Sequence, residues 1–165
     1  MKIFDVREVM GTEIERKFLI ASDDWRRAGE GERFQQGYLS VEPERTVRVR
    51  LAGERAQLTI KGRTVGATRP EFEYDIPVED ARQLLSLCIP PLIEKTRYRL
   101  SSGGHLWEID EFHGVNAGLV VAEVELESED EEVVLPDWVG AEVTEQPAYY
   151  NANLTQRPYS TWPRD

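Results

Sequence analysis

Apolar and polar residues alternate with a period of two through most of this chain. Along Glu13-Ile14-Glu15-Arg16-Lys17-Phe18-Leu19, an extended backbone places Glu13, Glu15 and Lys17 on one face and Ile14 and Phe18 on the other. The same alternation returns with Arg48 and Arg50 around Val49, and with Gln57, Thr59 and Lys61 around Leu58 and Ile60. It continues with Glu71, Glu73 and Asp75 against Phe72, Tyr74 and Ile76, and with Lys95, Arg97 and Arg99 against Thr96, Tyr98 and Leu100. Glu108 and Asp110 flank Ile109, Glu123, Glu125 and Glu127 alternate with Val124 and Leu126, and Gln36, Tyr38 and Ser40 form a milder, uncharged version. Such segments, broken by Gly and Pro, predict a sheet of about eight strands. Helical signals are few. Residues 22–28 carry an N-cap candidate and early acids before Gly29, and predict a short helix. Residues 79–87 predict a second, with Leu84, Leu85 and Leu87 on its buried side and Pro90-Pro91 ending it. Residues 137–154 read as mixed, with a short helix over 149–154, and the acidic run 129–132 reads as a solvated loop or helix start.

A densely charged face on nearly every strand is the unusual part. In an open sheet that face is solvated and acidic strands pair with basic neighbours. In a barrel it turns inward, which removes the edges. A charged lumen makes sense only around a charged ligand or metal, because an unpaired buried charge costs several kcal/mol. Patterning alone leaves both arrangements open.

Composition narrows the partners. The chain has 165 residues, the size of one domain, with a core over about 12–154, residues 1–10 as an N-terminal extension that reads either as a short extra strand or as an upstream choice of start, and 155–165 as a tail. Its 31 acidic and 20 basic residues give a net charge of −11, against nucleic acid or an anionic membrane as a partner. A small polyanion stays compatible, since basic residues gather at Arg48/Arg50, Lys61/Arg63 and Lys95/Arg97/Arg99. The single cysteine, Cys88, sits in an apolar run and reads as a buried helix residue, not a nucleophile. His105 and His113 lie beside glycines and read as surface turn positions. With no apolar run of about 18 residues and no secretory signal, a cytoplasmic address is expected.

These segments resemble a known family in order and content. Glu13-x-Glu15-x-Lys17 is the signature of the CYTH superfamily, the triphosphate tunnel metalloenzymes. It is joined by Gln36-Gly37-Tyr38-Leu39, Arg45-Thr46-Val47-Arg48-Val49-Arg50, Leu58-Thr59-Ile60-Lys61-Gly62 and Glu71-Phe72-Glu73-Tyr74. Further along come Glu94-Lys95-Thr96-Arg97-Tyr98, Trp107-Glu108-Ile109-Asp110, Glu123-Val124-Glu125, Glu142-Val143-Thr144 and Tyr150-Asn151. The resemblance is closest to compact bacterial inorganic triphosphatases. It implies an α+β, mostly β fold: an antiparallel eight-stranded closed barrel with a few short helices outside and a lumen that takes a triphosphate.

By resemblance, Lys17, Arg48, Arg50, Lys61, Lys95 and Arg97 meet the phosphates, and Glu13, Glu15, Glu123 and Glu125 hold a divalent cation. Hard oxygen donors suit Mg²⁺ or Mn²⁺, and the absence of paired Cys or His clusters argues against zinc. Tyr38 matches a family tyrosine assigned to accept a proton; donating a hydrogen bond to phosphate is the equal alternative, and Lys95 is its catalytic partner. Glu71, Glu73, Glu108 and Asp110 are supporting acids that either orient the cations or hold a second metal. The implied reaction is attack of water on a terminal phosphoryl group of tripolyphosphate. Alternatives are an organic triphosphate (thiamine or nucleoside), adenylate cyclisation, or polyphosphate binding without turnover; the cyclase-type His-Phe-x-Arg element has no histidine in residues 29–36. A homodimer is compatible with the resemblance.

Overall fold

The computed structural model describes residues 11–164, and the N-terminal extension, residues 1–10, with either reading of it, lies outside them. The described residues form nine strands: β1 (Thr12–Ile20), β2 (Glu32–Ser40), β3 (Thr46–Ala52), β4 (Arg55–Lys61), β5 (Thr68–Asp75), β6 (Ile89–Ser102), β7 (His105–Phe112), β8 (Val120–Glu125) and β9 (Val139–Glu142). Their order is β5-β4-β3-β2-β6-β7-β8-β1, and a β1–β5 pairing closes eight of them into a barrel. Every neighbouring pair is antiparallel. Closure is narrow: β1 meets β5 only through Thr12↔Pro70, Glu13↔Arg69 and Ile14↔Thr68. Further along β1, the ninth strand β9 pairs with Phe18 and Ile20.

Short hairpins set much of the register. Ser102 pairs with His105 across Gly103-Gly104, both at positive φ (58° and 82°), the backbone that a two-residue turn requires. At Gly37 a side chain is excluded by close packing, since a Cβ there would lie 2.7 Å from the Cβ of Cys88.

The charged face turns inward, and two hydrophobic cores lie on the outward face, while a third shares the inward face at one end of the barrel, where Phe112 pairs with Lys95 and Val121 with Asp110. One gathers Phe18, Trp25, Trp107 and Trp138, with Trp107 edge-on to Phe18 and Trp138 at 5.6 and 5.5 Å. Trp25 enters from a 3₁₀ turn, Asp24–Ala28, where the sequence predicted a helix. A second core is Val49, Ala56, Ala81, Leu85 and Cys88 under α1 (Val78–Leu87). A third holds Ile93, Phe112, Val121 and Leu154 under α2 (Asn151–Gln156), the helix expected over 149–154.

One expectation for α1 fails. Leu85 is buried and Leu84 half-buried, but Leu87 is 71% exposed. Two residues advance a helix by about 200°, so Leu87 points away from Leu85, and Ala81, four residues before Leu85, takes the inward place. Cys88 is buried just beyond the helix, and burial raises its thiol pKa, as expected of an inert cysteine. His105 and His113 are half-buried, not freely exposed: Nε2 of His105 lies 2.6 Å from Glu131 and that of His113 2.8 Å from Thr96. The acidic run is a loop as expected, though Glu129 ties it to β5 by accepting from Ala67 N–H and Thr68 Oγ1. Among the described residues, no helix is long and apolar enough to cross a membrane.

Candidate active site

Strand pairing places opposite charges side by side around the lumen. In register, Arg97 faces Asp110, Arg99 faces Glu108, Lys61 faces Glu71, Lys17 faces Glu123 and Glu13 faces Arg69. Two cavities of about 260 Å³ each share Glu15, Arg48, Arg50, Lys61, Arg97 and Glu123 along their walls. They are two halves of one charged tunnel. One half adds the acidic side chains of Glu71, Glu73, Glu108 and Glu125; the other adds Lys17, Tyr38, Lys95 and Asn151.

The six expected phosphate ligands therefore converge, five of them buried and Arg50 half-buried. They do not float free in the lumen. Lys17 Nζ bonds Glu123 at 2.8 Å and lies 3.2 Å from Glu15. Lys61 Nζ lies 3.2 Å from Glu13 and 3.1 Å from Glu71. Arg48 Nη2 donates to Thr59 at 3.1 Å and approaches Glu73 at 3.6 Å. The carboxylate of Asp110, fully buried beneath the lining side chains, holds Arg97 at 2.7 and 2.8 Å and Lys95 at 2.6 Å. Asp110 orients cations and does not line either cavity, which separates it from the other three supporting acids.

This crowding perturbs protonation. Burial would raise Asp110, but Arg97 and Lys95 hold it down to about 2. Burial opposes the charge on Glu123 too, yet Lys17 and Arg97 keep it well below the carboxylate range. Glu15 goes the other way: burial, then repulsion from Glu123 and Glu13, raises its pKa despite Lys17 and Lys61. Lys17 is raised, because Glu123 and Glu15 outweigh its burial. Lys95 is pushed down to about 7 by burial, a shift Asp110 resists and Arg97 and Arg50 reinforce. An amine poised there can take up or give a proton near neutral pH.

For the expected metal donors the fit is specific but incomplete. Glu13 and Glu123 are buried, Glu15 is partly so, and Glu125 lies exposed at the rim, paired in register with Glu15. Burial is the largest cause of the raised pKa of Glu15, and the repulsion from Glu123 and Glu13 that adds to it is what a divalent cation would offset. Among the described residues no three such side chains are already gathered for a metal, because lysine and arginine occupy their oxygens. The carboxylates would have to exchange those partners for the ion.

Three residues escaped the sequence reading. Arg69 bonds Glu13 at 3.1 Å and lies 3.8 Å from Glu15; Glu13 and Glu15 raise its pKa against burial. Extending the alternation of Glu71 and Glu73 back across Pro70 would have found it. Phe34 shares the face of Gln36 and Tyr38, and its ring lies 4.6 Å from the Arg50 guanidinium and 5.3 Å from that of Arg97. Asn151, within a quoted motif but without a role, bonds both Gln36 and Lys95 at 3.0 Å.

The arrangement is matched elsewhere. A family model described as "CYTH domain" covers residues 11–159. An inorganic triphosphatase of Acetivibrio thermocellus is 44% identical over 93% of this chain and 99% of its own length. One from Nitrosomonas europaea is 37% identical over 87% of this chain and 96% of its own. The solved structure of an inorganic triphosphatase superposes with a TM-score of 0.62 at 36% identity, covering 87% of this chain and 97% of that one. A closed antiparallel barrel with cations and carboxylates paired across its lumen, matched by sequence through nearly all its strands, makes this chain a member of the CYTH domain family.

Proposed function

We propose that this chain hydrolyses inorganic tripolyphosphate to pyrophosphate and phosphate inside its barrel. The observation that carries the reading is the convergence of Lys17, Arg48, Arg50, Lys61, Lys95 and Arg97 on one tunnel whose net charge is nearly balanced by its own carboxylates. Such a lumen offers a polyanion and a cation the partners each needs. Two relatives, 44% and 37% identical over most of this chain, bear the name inorganic triphosphatase.

Tripolyphosphate carries about four to five negative charges near neutral pH, and fixed donors in a partly dry tunnel stabilise it better than water can. Arg48, Arg50 and Arg97 offer planar forks to paired phosphate oxygens, while Lys17 and Lys61 act as point charges. Glu13, Glu15, Glu123 and Glu125 would hold Mg²⁺ or Mn²⁺, which when bound supplies charge neutralisation and polarises the phosphoryl oxygens. Glu71, Glu73 and Glu108 keep Lys61, Arg48 and Arg97 extended into the tunnel. Lys95 shares its half of the tunnel with Tyr38, and its amine near pH 7 takes the proton released as water attacks, directly or through the Tyr38 hydroxyl.

A phosphate-release panel tests this reading. Tripolyphosphate with Mg²⁺ or Mn²⁺ is expected to show kcat/KM at least about tenfold above ATP or thiamine triphosphate, or about 1.4 kcal/mol of transition-state preference. Pyrophosphate should be a poor substrate, and a chelator should abolish turnover. Preference for an organic triphosphate would overturn the substrate assignment, and binding without phosphate release would overturn hydrolysis.

A further inference from the structure

One buried amide chain in the tunnel has a single self-consistent direction. Arg50 Nε can only donate, and it meets Gln36 at 3.0 Å, so the atom of Gln36 facing it is the oxygen. The amide nitrogen of Gln36 then donates at 3.0 Å to Asn151, whose facing atom must be its own oxygen. Lys95 Nζ, 3.0 Å from that same Oδ1, requires the same orientation. Two donors, the Gln36 amide and the Lys95 ammonium, thus fix the orientation of the Asn151 amide. Its Nδ2 makes no hydrogen bond among the described residues, although Asn151 lines the tunnel half that holds Tyr38, Arg50 and Lys95.

We propose that Asn151, the first residue of α2, is a further substrate-binding and positioning residue: its Nδ2–H donates to a phosphate oxygen while its Oδ1 fixes Lys95 directly and Arg50 through Gln36. This rests on the triphosphatase reading. An uncharged donor suits this place because Lys95 already sits beside Arg97 and Arg50, and a further cation would raise the repulsion there. A segment outside the eight barrel strands thereby completes the site, joining a lysine of β6 to an arginine of β3 across the glutamine of β2.

Two variants separate this role from simple packing. Asn151→Asp keeps an oxygen toward Gln36 and Lys95 but exchanges the free donor for a charged acceptor at nearly constant volume. It should lose on the order of 100-fold in kcat/KM for tripolyphosphate, with the melting temperature of ligand-free protein undiminished. Asn151→Ala removes both functions and should lose about tenfold or more, with KM raised and kcat lowered together. Wild-type kcat/KM in a folded Asn151→Asp protein overturns the donor role, and wild-type behaviour of Asn151→Ala overturns the proposal altogether. If the unaltered protein binds tripolyphosphate without hydrolysing it, the functional reading fails separately. In that event the rise in melting temperature with tripolyphosphate decides the matter: it should shrink in both Asn151 variants, and an unchanged rise overturns the proposal.

Discussion

Replacing Lys95 with methionine should raise stability where it destroys activity. The Lys95 side chain is 1% exposed, and its pKa falls from 10.5 to about 7 because burial, Arg97 and Arg50 outweigh the pull of Asp110. Between those values the unfolded chain binds one proton more than the folded one at this residue. Stability therefore rises with pH across that window, and Lys95 contributes its largest penalty below it. From pH 7 to pH 9.5 the expected gain from this one group is about 3 kcal/mol. Methionine fills a similar volume and has no proton to bind, and Asp110 stays doubly held by Arg97 at 2.7 and 2.8 Å, so no buried carboxylate is stranded. Urea unfolding of chelator-treated wild type and Lys95→Met at the two pH values measures the difference, and other titrations common to both proteins cancel. Wild type should gain about 3 kcal/mol more than the variant on going to pH 9.5, while the variant releases no phosphate from tripolyphosphate. Identical pH dependence in the two proteins would show that Lys95 folds with an ordinary amine, and would remove it as a group that exchanges protons near neutrality.

Glu15→Gln should lower tripolyphosphate hydrolysis and Mn²⁺ affinity by orders of magnitude without lowering the melting temperature of ligand-free protein, since the carboxylate it removes is already raised by burial and by Glu123 and Glu13; normal turnover by the folded variant would remove Glu15 from the metal set. On α1, Leu85→Ala should cost about 2–5 kcal/mol and Leu87→Ala within about 0.5 kcal/mol in urea unfolding, and equal costs would contradict the observed helix face.

Much of the candidate site is legible in the sequence, for a simple reason. A period of two assigns each residue to one of two faces, so Glu13, Glu15 and Lys17, or Lys95 and Arg97, are grouped correctly by counting alone. Where punctuation interrupted the count, the reading stopped short. Pro70 hid the start of β5, and with it Arg69; a proline is tolerated there because β5 meets β1 at its end through only three register pairs. Helix faces were read less well, because grouping leucines by identity ignored the 100° step that turns Leu87 outward.

The chain by itself determined the strands, the residues of their charged face, and a family resemblance that implies a tunnel for a triphosphate. Local alternation and composition carry that information, since each depends only on neighbours in sequence. Only the tertiary structure decided that the charged face is the enclosed one, that Asp110 stands behind Lys95 and Arg97 and not in the tunnel, and that Asn151 faces Gln36. Those outcomes depend on closure and on contacts such as Glu13 with Arg69, 56 residues apart, and Gln36 with Asn151, 115 apart. Pairings across such separations follow from how the whole sheet curls and which segments pack against it once closed, and no local pattern encodes them.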